Sequence, residues 1–241
     1  MPLADAPLLV LGFEPFDTEW RNPSGEIARR LDGERVASLR VLGRVAPVSR
    51  AGVAQALAET LARPRLAAVV ALGVFAATAL VRVERLAVNR DDFRIADAAG
   101  AQPRGEPIVP GGPDAILTRA PVDDLVAAIR SAGVPARASD SAGSYLCNHL
   151  YYKLLYHLCD RSLHNPGEPG SPAEAPPAVF LHVPSLPEVV ASSGSERASM
   201  ALETSLRATR AALALLAETC GAATAAPGLP GSVGGGKRDE A

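Results

Sequence analysis

Cys147 lies where a thiol could act as a nucleophile. It stands in the stretch "SAGSYLCNHLYY" (141–152), in which small residues precede the cysteine and an apolar helical pattern follows it. This pattern predicts a helix over about 144–159, with Cys147 in its first turn. Unpaired backbone N–H groups and the helix dipole favour an anion there, so we expect a lowered thiol pKa. A buried structural cysteine is the alternative, and position alone does not decide between the two.

A nucleophilic cysteine needs a general base, and the chain has four histidines. His149 projects to a different side of the predicted cysteine helix, and His157 lies late in the same helix. His164 falls in a Pro/Gly-rich stretch. His182 ends the apolar run "AVFLHVP" (178–184), and functional groups of open α/β sheets gather where strands end. We therefore expect His182 to be the base, with a hydrogen-bonded core histidine as the alternative.

The third group of such a site is an acid that orients the imidazole. Glu84 lies in "VRVERLAVN", flanked by apolar and basic residues of a predicted strand. Asp91, Asp92 and Asp97 follow it closely in the sequence and compete for the same role. The spacing of these four carboxylates does not choose among them.

Short apolar runs alternate with amphipathic segments along the chain. Strands are predicted over residues 7–13, 38–48, 66–74 and 178–184. A further segment, 83–89, continues the sheet or pairs at its edge. Helices are predicted over 22–31, 50–62, 121–133, 144–159 and 195–219, with Asn22 as a cap before Pro23. Such alternation is typical of an α/β sandwich on a mainly parallel sheet.

The length and composition fit one catalytic domain. Of 241 residues, 48% are apolar, which is enough for a sizeable core. Residues 1–223 are expected to form this single domain. Within it, 164–177 is a Pro/Gly-rich surface loop insertion, and 224–241 is expected to be a disordered tail.

Charge and cysteine content exclude several classes of function. A net charge of −2 gives no broad basic surface, so we expect no nucleic acid partner. The sequence has neither a membrane-spanning apolar run nor a charged leader, so no membrane association is expected. Three cysteines are too few and too unevenly placed for a disulfide framework. We therefore expect a cytoplasmic protein.

Four separated blocks of the sequence resemble one known family. They are "GFEPFD" with "NPS" (12–24), "ERLAVNRDDFRIADAAGAQPRGEPI" (84–108), "SDSAGSYLCNHLYY" (139–152) and "FLHVPSLPE" (180–188). Their order and approximate spacing are similar to those of the pyroglutamyl-peptidase I family, the pyrrolidone-carboxylate peptidases of cysteine peptidase family C15. Members of this family remove an N-terminal pyroglutamate (5-oxoproline) from peptides. The cysteine and histidine blocks are the most specific.

The resemblance implies a fold, a reaction and a set of site residues. The fold would be the family's three-layer α/β/α sandwich. Cys147 would be the nucleophile, His182 the general base and Glu84 the acid that orients it, which settles the choice of acid. Phe13 and Phe16 match family positions whose rings line the substrate pocket. The resemblance implies no cofactor and no metal.

The same resemblance suggests how the reaction and the partners would look. A thioester acyl-enzyme would form on Cys147, and backbone N–H groups at the start of the cysteine helix would meet the oxyanion. Arg85 is a weaker alternative for this last role. The partners would be peptides with N-terminal pyroglutamate, and a homo-oligomer is compatible with the family.

One loop departs from the family pattern. The family reads G-x-A-G-G-R between its central strand and the acid, whereas this chain reads "GVFAATALVRVE" (73–84). Ala76, Ala77 and Thr78 thus replace Gly-Gly-Arg, and a charge near the acid is lost. Arg82 could substitute for it from a different direction. The departure leaves two alternatives: a degenerate relative that binds without cleaving, or a cysteine hydrolase acting on another lactam or acyl group.

Overall fold

The computed structural model describes residues 6–17, 19–62, 65–76, 78–164 and 175–224. Its strands are β1 (Leu8–Phe13), β2 (Arg35–Val36), β3 (Leu39–Ala46), β4 (Ala68–Val74), β5 (Val81–Glu84), β6 (Leu86–Val88), β7 (Asp91–Asp92), β8 (Arg104–Glu106), β9 (Ala115–Leu117), β10 (Ala136–Ser139) and β11 (Ala178–Val183). Its helices are α1 (Pro23–Leu31), α2 (Arg50–Leu61), α3 (Val122–Ser131), α4 (Leu146–His164), α5 (Pro187–Ser192) and α6 (Leu202–Thr224).

A seven-stranded sheet runs through the molecule in the order β10-β5-β11-β4-β1-β3-β2. The pairs β10/β5, β11/β4, β4/β1 and β1/β3 are parallel. The pairs β5/β11 and β2/β3 are antiparallel. The sheet is therefore mainly parallel, as predicted, and β5 introduces an antiparallel neighbour beside the central strands.

Helices cover both faces of this sheet because its central strands are apolar on both sides. In β1, Leu8 and Val10 pack with the buried residues of α1, α3 and α6. Leu9 and Leu11 point to the opposite face and pack with those of α2 and α4. This alternation is what a strand buried between two helical layers requires. The predicted three-layer α/β/α sandwich is confirmed.

Two predicted helix starts were wrong. The helix α4 begins at Leu146, because Ser144 is engaged with Asp92 through its hydroxyl and its carbonyl oxygen. The closing helix α6 begins at Leu202 instead of residue 195. Ser199 forms a parallel bridge with Ser185, and the Met200 N–H donates to the Ser185 carbonyl oxygen, so these residues are extended.

The segment 83–89 resolves into two elements. Strand β5 ends at Glu84 inside the main sheet, whereas β6 pairs with β9 in a separate two-stranded ladder. Between them, the Arg85 N–H donates to the Ser139 carbonyl oxygen. The short helix α5 was not predicted; Pro187 starts it.

Parts of the predicted loop and tail lie outside the described residues. These are 165–174 of the loop and 225–241 of the tail; His164 belongs to α4 and Thr224 to α6. Among the helices that the structure describes, none is long and apolar enough to cross a membrane.

Candidate active site

Strands β5 and β11 bring four side chains to one face of the sheet. Their antiparallel register sets Glu84 opposite Phe180 and Arg82 opposite His182. Residues two apart on a strand share a face, and Phe180 packs into the core under α2 and α4. The side chains of Arg82, Glu84 and His182 therefore point to the layer that carries Cys147.

Glu84 and His182 form a buried pair. The Glu84 Oε1 atom lies 2.8 Å from the His182 Nδ1 atom, with 0% and 3% of the residues exposed. An ionised carboxylate only accepts hydrogen bonds, so a neutral imidazole that donates to it from Nδ1 has Nε2 as an acceptor. A base with this tautomer can take a proton at Nε2 while Glu84 stabilises the resulting charge.

The sulfur of Cys147 lies over Gly73, next to this pair. Gly73 of β4 is the register partner of His182 in β11, and neighbouring strands are about 4.8 Å apart. A Cβ atom built on Gly73 would lie 2.6 Å from the Cys147 sulfur. The missing side chain therefore makes room for the thiol on the face to which the imidazole points.

The ionisation of Cys147 differs from the sequence-based expectation. The residue is partly exposed and is second in α4. Burial of the sulfur and the negative charge of Glu84 raise its pKa from 9.0 to about 12, and the backbone N–H of Cys147 itself lowers it. The expected lowering of the pKa was wrong, because desolvation outweighs the helix N-terminus in this arrangement. At neutral pH the resting sulfur is a thiol.

A cavity of about 300 Å³ opens beside Cys147. Its apolar walls include Phe13 and Phe16, together with Tyr145, which stacks on Phe16 at 6.5 Å. The aliphatic residues Val48, Val74, Ala76, Ile95 and Leu146 complete these walls. Polar groups also line the cavity: Asp17, Glu19, Asn22, Arg94 and Arg197. The apolar part of this lining suits a small uncharged group next to the thiol.

Asn22 fixes the loop that carries the aromatic walls. Its side-chain oxygen caps α1 at the Ser24 N–H, at 3.0 Å, and its amide donates to the Glu14 carbonyl oxygen, at 2.9 Å. The Ser24 hydroxyl accepts a hydrogen bond from the Phe13 N–H at 3.0 Å. Phe16 closes the loop with paired backbone hydrogen bonds to Glu19. The predicted cap at Asn22 is confirmed, and it also positions one side of the cavity.

Arg85 lies away from the residues that line the cavity. Its guanidinium contacts Asp123 at 2.6 Å and Asp140 at 3.6 Å. The hydrogen bond to Asp123 raises the pKa of Arg85. The structure thus does not bring Arg85 to the place where an oxyanion would form beside Cys147.

The three competing carboxylates have other partners. Asp91 pairs with His149 at 2.8 Å, and Asp92 pairs with Arg90 at 3.1 Å. Burial would raise the pKa of Asp97, but backbone N–H groups, including that of Ala101, lower it. Within the described ranges, no group of three or more His, Cys, Asp or Glu residues is arranged to hold a metal ion.

Sequence reasoning missed Asn148 and Tyr145, and it left Arg82 open. The Asn148 side chain bonds to both the N–H and the carbonyl oxygen of Val88, which ties β6 to the cysteine helix. Arg82 lies 3.3 Å from Glu84. Tyr145, two residues before Cys147, could have been found as an aromatic beside the nucleophile.

The altered loop contributes to the cavity. Ala76 lines it, whereas the Thr78 hydroxyl lies 3.5 Å from the Leu80 carbonyl oxygen. Ala77 lies outside the described residues.

The sequence profile of the pyroglutamyl peptidase family matches residues 6–219. A pyrrolidone-carboxylate peptidase of Cupriavidus taiwanensis is 40% identical over 212 residues, which are 88% of this chain and 93% of that relative. The crystallised pyrrolidone carboxyl peptidase of Thermococcus litoralis superposes with a TM-score of 0.81 at 32% identity, over 93% and 99% of the two chains. That of Pyrococcus furiosus gives 0.76 at 33% identity, over 88% and 99%. This chain, with its cysteine helix packed on a buried Glu–His pair, belongs to the pyroglutamyl peptidase family.

Proposed function

We propose that the protein is a cysteine-type omega peptidase that removes N-terminal pyroglutamate from peptides through a thioester on Cys147. The observation that carries this proposal is the Glu84–His182 pair on the face of the sheet where the Cys147 sulfur lies over Gly73. Family membership and the names of the relatives support the same reaction.

The chemistry starts from a neutral thiol, since the Cys147 pKa is raised to about 12. His182 Nε2 takes the thiol proton as the sulfur attacks the carbonyl carbon that joins pyroglutamate to the next residue. The tetrahedral intermediate collapses when His182 returns that proton to the leaving amine nitrogen. Water then attacks the thioester with His182 as its base, which frees pyroglutamate and restores the thiol.

The first turn of α4 supplies the charge stabilisation that this route needs. Cys147 is the second residue of α4, where backbone N–H groups have no intrahelical partner. Such donors, aimed at a developing oxyanion, are worth more in a water-poor site than in water. We assign the oxyanion to these N–H groups and not to Arg85, whose guanidinium is held by acidic residues elsewhere.

The cavity accounts for selectivity towards a lactam. Phe13, Phe16 and Tyr145 give it flat apolar walls, which suit a small uncharged ring. An ordinary N-terminus that placed its ammonium group against these apolar walls, and not beside Asp17 or Glu19, would leave a buried charge without a partner, which is costly. We therefore expect pyroglutamyl peptides to be cleaved and peptides with free glutamine or glutamate termini to be rejected.

The test is release of the fluorophore from pyroglutamyl-aminomethylcoumarin. We expect turnover by the wild-type protein, loss of turnover in Cys147→Ala, and wild-type rates in Cys159→Ala, a matched control from the same helix. No turnover by folded wild-type protein would refute the proposed activity. In that case, binding of pyroglutamyl peptides indicates the degenerate relative, whereas cleavage of other blocked substrates indicates a different cysteine hydrolase.

A further inference from the structure

Arg82 places a buried positive charge on the acid of the site. Its Nε atom lies 3.3 Å from Glu84 Oε1, the same oxygen that His182 Nδ1 contacts at 2.8 Å. Only 8% of Arg82 is exposed. A guanidinium stays protonated at any working pH, so one carboxylate oxygen is shared between a permanent cation and the imidazole.

The guanidinium is held from several sides. Its Nε and Nη2 atoms donate to the Ser139 hydroxyl at 3.2 and 2.5 Å, and Nη2 also donates to the Ser141 carbonyl oxygen at 2.8 Å. The Arg82 Cζ atom lies 4.0 Å from the centre of the Phe75 ring, which itself meets the His182 ring edge-on at 5.8 Å. Arg82 therefore cannot leave Glu84 without giving up these contacts.

The other groups around Glu84 do little to offset its negative charge, so much of that charge is offset by Arg82. From β11 it meets His182. From α4 the Cys147 thiol lies within electrostatic range, and the Tyr151 hydroxyl donates to the Glu84 backbone oxygen at 2.9 Å. The Glu84 Oε2 atom is buried and has no hydrogen-bond partner in the part of the chain that the structure describes. Without Arg82, the full negative charge of Glu84 would act on the imidazole and the thiol.

We propose that Arg82 is a positioning residue that shares Glu84 Oε1 with His182, and so offsets part of the carboxylate charge that acts on the imidazole and the thiol while the carboxylate still orients the ring. The proposal rests on the proposed function for its effect on turnover. It also explains how the chain tolerates Thr78 in place of the family arginine, because a positive charge still lies beside the acid.

The first test is the pH profile of kcat/KM for Arg82→Gln and Arg82→Lys. A positive charge next to the imidazole disfavours its protonation, so its loss in Arg82→Gln moves the acidic limb to higher pH, by about one unit for screened charges at this range. Arg82→Lys keeps the charge and moves the limb less than half as far. A purely structural role for Arg82 would lower stability or kcat in both variants and leave the limb in place.

The second test needs no substrate. The rate at which iodoacetamide alkylates Cys147 is followed against pH by mass spectrometry of its peptide. Loss of the first proton from the thiol–imidazole pair becomes harder when a nearby cation is removed, so the onset of alkylation in Arg82→Gln also moves to higher pH. An onset of alkylation that stays at the wild-type pH in Arg82→Gln would argue against this role of Arg82.

The two tests separate this inference from the proposed function. If the wild type cleaves pyroglutamyl-aminomethylcoumarin but neither profile shifts, Arg82 has no such role and the proposed function stands. If the alkylation profile shifts but wild-type turnover is absent, the role of Arg82 stands and the proposed function fails. Should Arg82→Gln not fold, Arg82→Met removes the same charge and keeps an unbranched side chain against Phe75. A shift in the same direction supports the inference, and an unchanged profile overturns it.

Discussion

At the scale of single residues, the sulfur that we propose as the nucleophile is uncharged in the resting site. Burial of the Cys147 sulfur and the negative charge of Glu84 both raise the pKa of this thiol. In the proposed reaction, proton transfer to His182 must therefore accompany attack on the substrate. This makes the tautomer fixed by Glu84, at 2.8 Å from His182 Nδ1, a requirement of the reaction.

Glu84→Gln should lower kcat by about 10²–10⁴-fold, because an amide can hold the imidazole in the wrong tautomer and cannot stabilise its charge. Steady-state kinetics with pyroglutamyl-aminomethylcoumarin measure this. The matched control is Asp92→Asn, which removes a carboxylate paired with Arg90 at 3.1 Å and should change kcat little. Equal losses in the two variants would argue against Glu84 as the orienting acid.

The residue types alone pointed to Cys147 and His182, because a thiol at a helix start and an imidazole at a strand end are visible in the sequence. Glu84 needed the family resemblance, since four nearby carboxylates look alike. The role of Gly73 and the setting of Arg82 could not be predicted. Both depend on which residues of distant strands lie side by side.

At the scale of elements, the close approach of β4 and α4 fixes the sulfur. The Cys147 sulfur fills the space that a side chain at Gly73 would take, and this space also borders the Phe180 ring. Strand β4 and helix α4, which are distant in the sequence, can approach this closely because Gly73 has no Cβ atom. Their spacing determines where the nucleophile lies relative to His182 in β11.

Gly73→Ala should reduce kcat/KM by about 10²-fold or more, since the new methyl group would lie 2.6 Å from the sulfur and must push it out of line. The control is Gly112→Ala, whose Cβ would meet the Tyr152 hydroxyl at 2.7 Å and which is not among the residues that line the cavity. Both variants should lose stability in urea unfolding. Only Gly73→Ala should also lose activity per folded molecule. Full activity of Gly73→Ala would contradict this placement of the Cys147 sulfur.

The cap of α1 offers a second prediction for an element. Asn22→Ala removes the acceptor for the Ser24 N–H and the donor to the Glu14 carbonyl oxygen. We expect a loss of about 1 kcal/mol in the free energy of unfolding and a raised KM, as the loop with Phe16 loosens. Asn22→Asp keeps the cap but not the donor. Asn22→Asp should restore most of the free energy of unfolding, whereas its KM should stay raised. A wild-type KM in both variants would show that this loop does not contribute to substrate binding.

At the scale of the whole molecule, burial raises the pKa values of a thiol and of tyrosine hydroxyls, and this makes stability depend on pH in alkaline solution. The pKa of Cys147 is raised from 9.0 to about 12, and burial raises those of Tyr145 and Tyr152 from 10.0 to about 12. Each group holds its proton in the folded state after the unfolded chain has lost it. The unfolded chain then binds fewer protons, so stability falls as the pH rises from about 9 towards 12.

This predicts that the urea midpoint falls steeply between about pH 9 and about pH 11. Cys147→Ala and Tyr145→Phe should each make the fall shallower, because each removes one group whose pKa is raised by folding. Tyr145→Phe keeps the ring that stacks on Phe16 and removes the hydroxyl that donates to the Ala96 carbonyl oxygen. Parallel curves for wild type and both variants would show that other groups govern alkaline unfolding.

The layered fold was predictable because the apolar runs and amphipathic segments alternate regularly. The antiparallel placement of β5 was not, because strand order and direction depend on long-range pairing that local periodicity does not encode. That placement matters, since it sets Arg82 and Glu84 beside β11. The cysteine helix also began later than its pattern suggested, because Ser144 is bound to Asp92.

The central claim is that Cys147 carries the acyl group. The most direct measurement is intact and peptide mass spectrometry after acid quench of the protein during turnover of a pyroglutamyl substrate. We predict a covalent adduct with the mass of one pyroglutamyl group, confined to the peptide that contains Cys147 and absent from Cys147→Ala. Turnover that persists in Cys147→Ala, or an adduct on Cys159 or Cys220 instead, would contradict the account.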